Sequence, residues 1–156
     1  MKTDSIQYQP LSKAYLDGLT ALDRLCFAKP WSRQAFADEL INPVAAYVVA
    51  VCGGEVVGYA GVWIVKGEGQ ITNVAVHPDY RRRGVGRELV GRLIEACGDV
   101  DSVTLEVRKS NTAARLLYAE MGFEACGERK KYYEGVEDAL IMTRRQNENS
   151  CNRNLL

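Results

Sequence analysis

A chain of 156 residues with a single histidine, His77, cannot build a His-rich metal site or a double-His motif, and no metal is expected. Neither sign of charge is in excess. Twenty Lys and Arg balance twenty Asp and Glu, so no global field draws the chain to nucleic acid or to a membrane surface. The five cysteines, Cys26, Cys52, Cys97, Cys126 and Cys151, include no Cys-x-x-Cys pair. An odd, scattered set argues against a zinc site or a disulfide framework and fits a reducing cytosol, with the thiols as small core fillers. No apolar run approaches the length of a membrane span, and Met1-Lys2-Thr3-Asp4 leads into polar sequence without a signal peptide. The expected location is the cytoplasm.

What is present reads as one ordinary globular domain. Hydrophobic residues make up 47% and charged residues 26% of the chain, and its length suits a single core. The expectation is one domain over 1–145 and a polar, flexible tail over 146–156. Between Leu11 and Phe27 the residues Leu16, Leu19, Leu22, Leu25 and Cys26 fall at helical spacing. Ser32 is an N-cap candidate for a second helix with Phe36, Leu40 and Ile41 as its buried stripe, ended by Asn42-Pro43. The period then changes. Tyr47–Cys52, a Gly53-Gly54 hairpin turn, Glu55–Val65, a turn over Lys66–Gly69 and Gln70–Val76 read as three antiparallel strands.

Downstream, Gly84–Cys97 reads as a helix burying Val85, Leu89, Val90, Leu93, Ile94 and Cys97. Ser102–Val107 is a strand with Val103, Leu105 and Val107 on one side and Thr104 and Glu106 on the other. Asn111–Met121 is a helix closed by Gly122. Phe123–Lys131 and Glu137–Thr143 are closing strands around a Tyr132-Tyr133-Glu134-Gly135 turn. The order ααβββαβαββ predicts an α/β fold, a mixed central sheet with helices on both faces.

The chemistry concentrates in Asn73 to Arg87. There a strand ends, a Pro-containing turn follows, and a loop with two glycines opens an amphipathic helix. Unpaired N–H groups at such a helix start favour an anion. Gly84 and Gly86 let a pyrophosphate approach the backbone, and Arg82, Arg83 and Arg87 add positive charge. The loop lacks the Lys-Ser/Thr of a Walker sequence and the three-glycine dinucleotide spacing.

Arg81-Arg82-Arg83-Gly84-Val85-Gly86 resembles the Q/R-x-x-G-x-G/A acetyl-CoA motif of the GCN5-related N-acetyltransferases. Leu105-Glu106-Val107-Arg108, Ser110-Asn111, Ala113-Ala114, Leu117-Tyr118 and Gly122-Phe123 resemble the downstream signature of that family. With Pro30-Trp31-Ser32 and Tyr132-Tyr133 followed by Glu137-Asp138-Ala139, the set is most similar to the bacterial subgroup that acetylates the N-terminal alanine of ribosomal protein S18. The resemblance spans residues 5 to 143.

It implies a central sheet split at a bulge in the strand matching Asn73–Val76, with acetyl-CoA as the acetyl donor lying in the split. Val74, Ala75 and Val76 would contact the pantetheine arm through their backbone. Arg82, Arg83, Gly84, Val85, Gly86 and Arg87 would wrap the pyrophosphate, and Asn111 would hold the cofactor from the next helix. In the family the amine attacks directly. Glu106 would take the proton from the substrate ammonium, and Tyr118 would donate one to the CoA thiolate. The expected protein partner is the S18 N-terminus, with no direct nucleic acid or membrane contact, the enzyme being a monomer or weak dimer.

These roles suit the chemistry. An α-amine with a pKa of roughly 8 is about one-tenth neutral at pH 7, whereas a lysine at roughly 10.4 needs about 3 kcal/mol more. Other acceptors remain open: different protein N-termini, lysines or small amines. A catalytically silent acyl-CoA-binding module and an RNA-binding use of the arginines are further alternatives. His77 reads as a surface turn residue. Trp31, Tyr132 and Tyr133 either line an acceptor groove or cap the core.

Overall fold

Gly53 and Gly54 take φ of +57° and +82°, the left-handed pair that a two-residue hairpin turn requires. They join β2 (Ala45–Cys52) to β3 (Glu55–Val65) in antiparallel register, Cys52 opposite Glu55. The structure, a computed structural model, describes residues 5–146. Along the described residues a seven-stranded sheet runs in the order β1-β2-β3-β4-β5-β7-β6. Its members also include β1 (Ile6–Pro10), β4 (Glu68–Val76), β5 (Ser102–Arg108), β6 (Glu124–Tyr133) and β7 (Glu137–Arg145). β4 and β5 pair in parallel, while β1–β2, β2–β3, β5–β7 and β6–β7 pair antiparallel. This is the mixed α/β sheet expected from the element order.

The chain groups into two compact units, one comprising residues up to Trp63 with Asn73–Ala96, the other Ile64–Thr72 with the chain from Cys97. In the first unit α1 (Leu16–Cys26) follows a 3-10 turn at Lys13–Tyr15. It buries Leu16, Leu19, Thr20, Leu22 and Asp23, and leaves Leu25 56% exposed. α2 (Arg33–Glu39) starts as expected, the Ser32 hydroxyl accepting from the Ala35 N–H at 3.1 Å. Phe36 is fully buried, but Ile41 is 83% exposed because the helix ends at Glu39, before Ile41 can join its stripe.

β3 is buried continuously from Val57 to Val62, so both its faces are covered. Tyr59 joins a cluster with Leu16, Leu19, Leu22, Phe36, Tyr47, Val49 and Ala75. On the opposite face a Cβ at Gly58 would lie 3.2 Å from both Val85 and Leu89 of α3 (Val85–Cys97). Helices therefore flank β3 on both sides within this unit. β1 was not foreseen. Its sequence Ile-Gln-Tyr-Gln-Pro carries no apolar alternation, and it forms by pairing along β2, Ile6 opposite Cys52 through Pro10 opposite Val48.

In the second unit, Glu68–Gln70 pair with Ser102–Thr104, and β5 continues antiparallel to β7. Val103, Leu105 and Val107 are buried while Thr104, Glu106 and Arg108 are partly exposed, the expected alternation. α4 (Thr112–Glu120) closes at Gly122 with φ +93°, and Arg144 donates to the Met121 carbonyl at 3.0 Å. Tyr132 and Tyr133 belong to β6 rather than to the turn; Tyr133 pairs with Glu137, and the chain reverses over the three residues between them. The first residue of the expected tail, Gln146, donates its N–H to the Asp101 carbonyl at 2.9 Å, and the rest of that segment lies outside the described residues. Of the cysteines Cys97 is buried, Cys26 and Cys52 are partly buried, and Cys126 is exposed, so Cys126 is not a core filler. No helix of the described residues is long and apolar enough to cross a membrane.

Candidate active site

In the first unit β4 hands the chain to a 3-10 turn, Pro78–Tyr80, capped by His77. The His77 Nδ1 accepts from the Asp79 N–H at 3.1 Å, and the His77 backbone N–H donates to the Val57 carbonyl at 2.8 Å. The histidine is thus a turn-former, as its position suggested. Ala75 is buried, and Val74 and Val76 are partly buried. The Val76 carbonyl accepts from Arg81 Nε at 3.1 Å and from the Cys26 thiol at 3.6 Å. Its oxygen is satisfied within the chain, so a ligand contact at Val76 has to come through the N–H.

The loop that follows is shaped for an anion. Arg82 sits at φ +63° and Gly84 at φ +80°, and a Cβ at Gly84 would meet nothing within 4 Å. Left-handed residues spaced this way turn successive N–H groups into a concavity. The Glu88 N–H donates to the Gly84 carbonyl at 3.0 Å, so the N–H groups of Val85 and Gly86 lie ahead of that rung of the helix ladder. The Val85 side chain is 1% exposed and anchors this start against the core. The Arg83 guanidinium lies 5.0 Å over the Tyr80 ring. Arg82, Arg83, Gly84, Val85, Gly86 and Arg87 therefore form one glycine-opened, cationic helix start. Its open side and its main-chain donors fit a pyrophosphate.

In the second unit Glu106 lies on β5 with its side chain 14% exposed. Its Oε1 is 2.6 Å from Arg129 Nε, and the Tyr132 hydroxyl also donates to it. Tyr118, on α4, is 7% exposed and packs 5.8 Å from the Phe123 ring. Burial, and secondarily the neighbouring Tyr133, push its pKa up to about 12. Tyr133 is itself raised to about 12, first by burial and then by Glu106 and Tyr132. Tyr133 is thus within electrostatic reach of both Glu106 and Tyr118. Arg108 lies 4.3 Å over the Tyr133 ring and is clamped by Glu134 at 2.6 Å and Glu137 at 3.2 Å. Asn111 is the N-cap of α4, where its Oδ1 accepts from the Ala114 N–H at 3.2 Å. The amide NH2 of Asn111 is not needed for that cap.

Two features escaped the sequence. One is Arg129 on Glu106: a strand glutamate calls for a partner, but nothing local says which cation reaches it. The other is a buried polar cluster around Asp23, which is 1% exposed. The Tyr59 hydroxyl donates to Asp23 Oδ1 at 2.5 Å and the Trp31 N–H to Oδ2 at 2.7 Å, while Asn73 bonds Tyr59. Burial raises the Asp23 pKa against these hydrogen bonds, and it pushes Tyr59 far above the ordinary tyrosine range. An acid at the apolar spacing of α1 was the available signal. Trp31 packs 5.4 Å from Phe36 and is part of this core edge. No group of His, Cys, Asp and Glu able to hold a metal occurs among the described residues.

Comparison with known proteins follows the same lines. The model of the acetyltransferase (GNAT) family matches residues 16–123. A Bacillus subtilis (strain 168) protein, provisionally named a ribosomal protein bS18-alanine N-acetyltransferase, is 40% identical over 131 residues, 81% of this chain and 87% of its own. The N-alpha-acetyltransferase RimI of Mycobacterium tuberculosis is 37% identical over 150 residues, covering 91% of this chain and 94% of its own. The crystal structure of the ribosomal-protein-S18-alanine N-acetyltransferase from Escherichia coli superposes with a TM-score of 0.82 at 32% identity, over 93% of this chain and 98% of that one.

Proposed function

The chain belongs to the GNAT acetyltransferase family, and from that membership we propose that it transfers acetyl from acetyl-CoA to the N-terminal alanine of ribosomal protein S18. The acceptor is the one named in its relatives from Bacillus subtilis and Escherichia coli. The observation that carries the chemistry is the sheltered Glu106 carboxylate on β5, held by Arg129, in the same unit as the buried and firmly protonated phenol of Tyr118. The glycine-opened loop over Arg82–Arg87 supports the choice of donor, since a helix start with main-chain donors beside arginines suits the CoA pyrophosphate.

Bound acetyl-CoA supplies the acetyl group as a thioester, whose carbonyl carbon takes the new N–C bond as the C–S bond breaks. Val74, Ala75 and Val76 hold the pantetheine arm by main-chain contacts, and Asn111 offers its free NH2 from the start of α4. Glu106 receives the surplus proton of the amine, directly or through one water. Tyr118 offers its hydroxyl to the departing sulfur. At a pKa of about 12 it never lacks that proton at working pH. Complete transfer to a thiol of pKa about 8.5 is uphill by about 5 kcal/mol, so the hydroxyl acts first as a hydrogen-bond donor to the growing charge.

The test is CoA-thiol release from acetyl-CoA with two matched peptides. One carries the S18 N-terminus with a free alanine amine; the other has that amine blocked and an internal lysine. Fast release with the free alanine alone is the expected result. Release with the lysine peptide alone overturns the acceptor, and silence with both alongside tight acetyl-CoA binding points to a binding-only module.

A further inference from the structure

Glu106 on β5 and Arg129 on β6 are separated by β7, two strand spacings or about 10 Å of sheet. Ala139 of β7 is the register partner of both Arg108 and Arg129, and Ile141 is the partner of Glu106. The methyl of Ala139 leaves Arg129 a low path across the strand to the 2.6 Å contact with Glu106. The two partners are unequal: the Glu106 side chain is 14% exposed and that of Arg129 is 58% exposed. Arg129 otherwise lies 5.7 Å over the ring of Tyr132. Arg108 on the same face is committed to Glu134, Glu137 and Tyr133. The cation on the proposed proton acceptor is therefore the exposed member of the pair.

We propose that Arg129 determines the acceptor class, its guanidinium standing beside Glu106 where a substrate ammonium would otherwise bind and so admitting amines in their neutral form. The inference rests on Glu106 being the proton acceptor. A guanidinium keeps its charge at every working pH, so it repels a second cation throughout. A neutral amine meets no such repulsion. At pH 7 an α-amine is about one-tenth neutral and a lysine side chain about 0.04% neutral, a difference of about 250-fold that the cation passes on to the rate. Arg129 and Tyr132 occupy two of the roughly four lone-pair positions of the carboxylate. The remaining positions take the proton that the nitrogen sheds once its bond to the acetyl carbon has formed and the sulfur has left with the C–S electron pair.

Steady-state kinetics of the full chain test this with the alanine and lysine peptides above, for wild type, Arg129→Gln and Arg129→Lys. In Arg129→Gln the ratio of kcat/KM for alanine over lysine peptide should fall by about tenfold or more, through gain on the lysine peptide, with the acetyl-CoA KM unchanged. Arg129→Lys should keep the wild-type ratio within about threefold, because it keeps the charge. An unchanged ratio in Arg129→Gln, or an equal loss on both peptides, overturns the inference, as does a lysine variant as permissive as the glutamine one. Thermal melting of each variant separates loss of fold from loss of selectivity. Wild-type silence on the alanine peptide is a different failure: it removes the proposed acceptor, and the inference with it.

Discussion

Glu106 and Tyr118 differ in how the chain prepares them. The glutamate sits in a strand, held by an arginine and a tyrosine, whereas the tyrosine is set by burial. If Glu106 takes the proton only after a neutral amine has formed its bond to the acetyl carbon, Glu106→Gln removes that step whatever the fraction of neutral amine. Turnover should then drop by about a hundredfold near pH 6.5 and near pH 9 alike, as a pH series of CoA release would show. With the proposed role at the departing sulfur, Tyr118→Phe should slow turnover with little change in acetyl-CoA affinity; a matched fall in affinity would contradict that role. The folded Tyr118 pKa of about 12 lies above the ordinary tyrosine value of about 10, so folding favours its neutral form. That contribution to stability is complete below about pH 10 and is lost as pH rises through about 12. The rate profile should accordingly rise through about pH 8 with the amine and stay level to pH 10. A descending limb with an apparent pKa near 9 would exclude Tyr118 as the proton donor.

At the scale of elements, the telling contact is that of β3 with α3. A Cβ at Gly58 would stand 3.1 Å from the Ala75 carbonyl and 3.2 Å from Val85 and Leu89. Gly58→Ala therefore presses on the Ala75 strand and on the start of α3, the two elements proposed to hold acetyl-CoA. The melting temperature should fall by an amount corresponding to about 1–3 kcal/mol, and the acetyl-CoA KM should rise more than the peptide KM. Elements whose signals are local were legible beforehand: the Gly53-Gly54 turn, the Ser32 cap, the α3 stripe and the Gly122 stop. Elements decided by distant partners were not. β1 owes its existence to the edge of β2, and Ile41 leaves the core because α2 stops early. Glu106 and Tyr118 could be named from the sequence, but the cation on Glu106 depends on a register that crosses β7. Asp23 was hidden for a similar reason, its hydroxyl partner being a strand residue 36 positions away.

For the molecule as a whole, zero net charge means that attraction for an anionic donor is local, placed in the Arg82–Arg87 loop rather than spread over the surface. Ligand binding to the folded state alone adds stability, about 2.7 kcal/mol at a hundred times Kd. Acetyl-CoA should thus raise the melting temperature by several degrees, read by thermal shift. Gly84→Val should abolish most of that rise, since a branched side chain at φ +80° is strained and would stand in the proposed path of the pyrophosphate. A full rise in the variant would move the donor site elsewhere.

The Asp23 cluster also bears on how the chain assembles. Its carboxylate waits for a hydroxyl 36 residues downstream, the Cys26 thiol for a carbonyl 50 residues downstream, and the parallel rungs starting at Glu68 for Ser102. Each closure spends loop entropy before any burial rewards it. α1 can coil early, but it cannot hide its acid until β3 has formed. These separations place the burial of Asp23 with the docking of β3 rather than with the coiling of α1.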